Sequence, residues 1–112
     1  MARPRITDEV GIPAVRATER TRDQTATAVR FLLQLLVDRV PGNTVEVRVP
    51  PFGAVQVVEG PRHTRGTPPN VIEMDAETWI GIATGALAYG DARIHASGTR
   101  ADISFAVPLL RQ

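Results

Sequence analysis

Residues 21–40 carry more apolar surface than one packing partner can cover. Val29, Leu32, Leu33, Leu36 and Val40 recur at the spacing of one helical stripe, and Ala28, Phe31, Leu35 and Val37 widen it. Only Arg30, Gln34 and Asp38, four residues apart, form a continuous polar strip. A helix apolar over most of its circumference is covered on more than one side. The stripe that meets a sheet contributes on the order of 10 kcal/mol gross, at roughly 1.5–3 kcal/mol per large buried side chain. The surplus side reads first as ordinary core, and second as the wall of a ligand cavity or a dimer contact. Thr21 or Asp23 can cap the helix, and Pro41-Gly42 ends it.

Downstream the period changes. In residues 44–49, Val45, Val47 and Val49 alternate with Glu46 and Arg48, the pattern of a half-buried strand. Pro50-Pro51-Phe52-Gly53 turns the chain, residues 54–59 return as a second strand, and Gly60-Pro61 breaks it. A third strand opens at Asn70, with the β-forming run 71–74, so three strands in a meander are expected. Asp75 offers a carboxylate to the exposed amides of a following helix, and Glu77 adds negative charge where the dipole favours it. Trp79, Ile82, Ala83, Ala86 and Leu87 share a helical face. Gly85 stands where a helix can stop in a left-handed residue, which would leave the last two in the next turn. Residues 92–97 are extended, with Ile94 and Ala96 on one face and Arg93, His95 and Ser97 on the other. Beyond Gly98, the spacing of Ile103, Ala106, Val107 and Leu110 predicts a helix over 100–106. Pro108 disfavours its continuation, so an apolar tail across the core is expected after it.

Residues 1–18, with Pro4, Gly11, Pro13 and weak periodicity, read as a flexible arm with a short turn near residues 12–15. Residues 19–112 read as the domain itself. The chain's 112-residue length suits one α+β layer: an antiparallel or mixed sheet of about four to five strands with helices packed on one face.

Several function classes are disfavoured by what the chain lacks. It has no cysteine, hence no disulfide, thiolate nucleophile or sulfur-ligated metal. His63 and His95 are far apart and have no metal-ligand spacing around them. Ser97 and Ser104 have no evident base, and Gly81, Gly85 and Gly90 match no phosphate-binding motif. Neither a catalytic residue nor a cofactor is expected, and the chain reads as no enzyme. A net charge of +1 and few aromatics disfavour nucleic acid as a partner. No apolar run reaches transmembrane length and no signal-peptide segment opens the chain, which predicts a cytoplasmic protein. Arg62, His63 and Arg65 form the one polar cluster of interest, able to grip a carboxylate or phosphate head group; a solvated loop is the simpler reading.

The order strand, helix, glycine stop, short connection, strand ending in Ser-Gly resembles the C-terminal half of the sterol carrier protein type 2 family of small lipid-binding domains. Asp75-Ala76-Glu77-Thr78-Trp79, Ile82-Ala83-Thr84-Gly85-Ala86-Leu87 and Ile94-His95-Ala96-Ser97-Gly98 carry the likeness, the middle piece most specifically. Through Pro41-Gly42-Asn43 and residues 45–70 the chain looks more closely like the short stand-alone actinobacterial members. The resemblance implies a sterol carrier type fold and a pocket between helices and sheet for a fatty acyl or other lipid-like molecule. Phe31, Leu32, Leu35, Leu36, Trp79, Ile82, Ala83, Leu87, Ile103, Phe105 and Val107 are its candidate lining. Larger members carry a second short helix before the last strand; residues 86–91 are too few for much of one, so the cavity is expected to be shallow, open or absent. A ligand's tail would dominate its affinity, since ~10 methylenes are worth roughly 8 kcal/mol gross against ~0–1 kcal/mol for an exposed ion pair. The alternative is a dimerisation or protein-interaction module with little or no cavity.

Overall fold

The computed structural model describes residues 4–60 and 69–111. Three helices and a four-stranded sheet follow one another as α1 (Asp8–Arg16), α2 (Arg22–Arg39), β1 (Val45–Val49), β2 (Gly53–Val57), β3 (Asn70–Glu73), α3 (Ala76–Thr84) and β4 (His95–Ser97). The strand order is β2-β1-β3-β4. β1 is antiparallel to β2 and parallel to β3, and β3 is antiparallel to β4. This is the expected α+β layer with a mixed sheet, but not a meander. Val45, Val47 and Val49 are wholly buried, so β1 takes a central place with a strand on either side. β2, with Ala54 exposed, forms the edge instead. The second strand is also shorter than expected. Val58 turns left-handed (φ 71°) and donates its N–H to the Val40 carbonyl at 2.7 Å, carrying the chain away from β1.

α2 starts as the sequence requires. Thr21 Oγ1 accepts the Gln24 N–H at 3.1 Å while the Gln24 side chain accepts the Thr21 N–H at 2.9 Å, a reciprocal cap. One side of α2 packs on β2, another meets α3, and a third is covered by α1. The expectation of a flexible arm over residues 1–18 is corrected here, because residues 8–16 are helical. Asp8 and Glu9 in its first turn and Arg16 in its last match the helix dipole. Arg20 then holds its end, Nε donating to the Ala14 carbonyl at 2.8 Å and Nη2 donating to that of Val15. Gly11 lies against the Phe31 ring, where any side chain would collide. The surplus apolar side of α2 is therefore core, closed by α1.

α3 begins at Asp75, whose Oδ1 accepts the Thr78 N–H at 2.8 Å, and ends at Gly85 in a left-handed conformation (φ 82°). The Trp79 indole donates to the Val29 carbonyl at 3.2 Å and ties α3 to α2. The helix expected over residues 100–106 is reduced to one 3-10 turn, Ser104–Ala106. Val107 is extended ahead of Pro108, as the proline ring demands. The tail crosses the end of α3: Leu109 and Leu110 donate their N–H groups to the Ala83 carbonyl at 2.7 and 3.1 Å. Arg39 at the end of α2 donates to the carbonyls of Ala106 and Pro108 at 3.0 and 2.8 Å.

Candidate functional site

Most of the candidate lining belongs to the packed interior. Phe31, Leu32, Leu36, Trp79, Ile82, Ala83 and Ile103 are each no more than 1% exposed. They belong to the cluster of buried side chains that α2, α3 and the sheet enclose. Leu35, Leu87 and Val107 are half-buried at its margin. Phe105 faces outward, 64% exposed. Arg62, His63 and Arg65 lie outside the described residues. His95 is exposed on β4, and no group of three or more metal-ligating side chains occurs among the described residues.

Three of the candidates meet at a surface cleft of about 280 Å³ beyond the end of α3: Ile82 from the helix, Leu87 from the turn after it, and Val107 from the tail. Leu87 reaches this place because the chain folds back after Gly85, its N–H donating to the Gly81 carbonyl at 3.1 Å. The short span that follows holds a single 3-10 turn, Tyr89–Asp91. Tyr89, Ser104 and Arg111 supply the polar rim. The Tyr89 hydroxyl accepts the Ile103 N–H at 3.4 Å, and burial pushes its phenol above the ordinary value, so it stays neutral at physiological pH. Ser104 is turned toward Asp102, donating its N–H to Oδ1 at 2.9 Å and its hydroxyl to Oδ2 at 3.1 Å. This is an apolar notch with a few fixed polar groups, suited to binding and without a paired acid and base for chemistry.

A larger groove, about 560 Å³, lies on another side of α2 and contains none of the candidate residues. The N-terminal segment forms one wall, α2 the floor, and the turn from β1 into β2 the other wall. The polar strip of α2 noted in the sequence assembles it. Arg30 Nε donates to the Phe52 carbonyl at 2.8 Å. Gln34 pairs with the backbone of Ile6, accepting its N–H at 2.9 Å and donating to its carbonyl at 2.8 Å. Asp38 forms an ion pair with Arg5. The signal available in the sequence was the fourfold spacing of three polar residues on an otherwise apolar helix. Their partners lie too far along the chain to be read from it.

Comparison with family models matches residues 21–109 to a family described as bacterial SCP ortholog, a span that runs from the cap of α2 into the C-terminal tail and leaves α1 outside. Comparison with curated proteins finds no match.

Proposed function

Because the chain belongs to the bacterial sterol carrier protein family, we propose that it is a non-catalytic carrier of an apolar, fatty acyl-like molecule taken up at the cleft beyond α3. The convergence of Ile82, Leu87 and Val107, from three separate segments, supports this most directly. At about 280 Å³ the cleft falls just below the ~300–1,000 Å³ of ordinary small-molecule sites. A longer chain gains room when the tail moves off α3. That tail is held by backbone bonds to Ala83 and by Arg39 rather than by a helix or strand, and such segments open at lower cost than the core.

Each buried methylene contributes about 0.8 kcal/mol, so binding should strengthen with chain length. Thermal melting with saturated fatty acids of increasing length tests this. Stabilisation is expected to grow along the series in the natural chain and to flatten in Leu87→Trp, which fills the cleft. Equal stabilisation at every length, or none, would contradict the carrier reading.

Phe105 at 64% exposure and Val10 at 58% favour a second reading, an interaction module that covers apolar surface with a second copy or another protein. It predicts a melting temperature that rises with protein concentration and ignores fatty acids.

A further inference from the structure

The groove on the polar strip of α2 is a second site, and its features do not depend on the cleft beyond α3. We propose that it binds an amphipathic carboxylate, with Arg30 anchoring the carboxylate and the walls taking the apolar tail. Both walls are fixed in place by α2. Gln34 matches the Ile6 backbone donor for acceptor, and Arg5 adds an ion pair with Asp38, so the segment carrying Pro4 and Ile6 is pinned at two points. The opposite wall is pinned through the Phe52 carbonyl, which accepts from Arg30 Nε at 2.8 Å. The volume of about 560 Å³ lies inside the ~300–1,000 Å³ range of small-molecule sites.

The charge decides the ligand. Arg30 is the one charged side chain lining the groove among the described residues, and no carboxylate faces it there. The bond to Phe52 occupies only Nε. Among the described residues no hydrogen bond or ion pair engages the two terminal amino groups, and together they present a planar fork. A carboxylate matches that fork with two parallel charge-assisted hydrogen bonds. The Thr27 hydroxyl, nearly one turn earlier on the same face, offers a further donor. Ile6, Phe52 and Val55 give the tail an apolar bed, and the wall made by residues 4–7 lies outside the residues that match the family.

Titration of the full chain with octanoate and with octanol, which differ in head group and share the tail, tests the site. Octanoate is expected to bind about tenfold more tightly than octanol, and Arg30→Gln is expected to remove that head-group advantage, bringing the two affinities together. Amide chemical-shift mapping of the natural chain should centre the octanoate response on Thr27, Gln34 and Val55, a readout independent of how well the variant folds. Equal affinities, or no octanoate binding at all, would overturn the proposal. So would a response centred on Leu87 and Val107, which would leave the carrier cleft standing.

Discussion

Asp75 and Asn70 both hold backbone groups, at very different sequence distances. Asp75 bonds an amide three residues ahead, and that bond holds its carboxyl below the usual carboxylate range. A group with a lowered folded-state value stabilises the fold above its unfolded value and loses that contribution as pH falls through the folded one. Acid titration of stability should therefore show an Asp75 contribution present above about pH 4 and fading below it. Asp75→Ala should cost about 1 kcal/mol at neutral pH, measured by urea unfolding, and should flatten that acid limb. The cap was legible in the sequence because it is local. Asn70 was not. It is 5% exposed, donating Nδ2 to the Thr44 carbonyl 26 residues back and accepting the Arg100 N–H 30 residues ahead. Gly98 adopts φ 102° beside it, where a side chain would strike the Asn70 carboxamide. No sequence spacing announces a three-way tie of this kind.

Among the elements, α2 shows how a correct local reading can stop one step short. Its excess of apolar surface was plain, and the rule that such a helix is covered twice was sound. Ordinary core was the first reading of the surplus side, ahead of a ligand or a second copy. The covering element went unnamed because residues 1–18, with Pro4, Gly11, Pro13 and weak periodicity, were read as an arm. Packing reverses that judgement: Ala14 and Val15 are buried, and Gly11 admits the Phe31 ring. Gly11→Val should therefore lift α1 from α2 and cost about 1–3 kcal/mol, with faster amide exchange over residues 8–16 than in the natural chain. Unchanged exchange would contradict the packing described. Strand order escaped the sequence for a different reason. Alternation fixes which face of β1 is buried, but nothing local makes β3 pair with β1 in parallel rather than with β2. The C-terminal helix was overcounted because apolar spacing alone suggested residues 100–106; Pro108 was rightly read as ending it, but the structure keeps only the 3-10 turn Ser104–Ala106.

For the molecule as a whole, the sterol carrier type fold was legible through a few residues around α3, chiefly the run from Ile82 to Leu87. Where a ligand would sit was not. A leucine that lines a pocket and a leucine that fills a core look the same in sequence, and here seven of eleven candidates fill the core. Among the described residues, the space that the candidate lining and the polar strip of α2 leave for a ligand is peripheral: a notch where α3 ends and a groove along that strip. The most direct test of the carrier reading is native mass spectrometry of freshly purified protein, with organic extraction of whatever travels with it. A bound species of acyl-chain mass is expected. A bare chain, monomer or dimer, with an empty organic extract would contradict it.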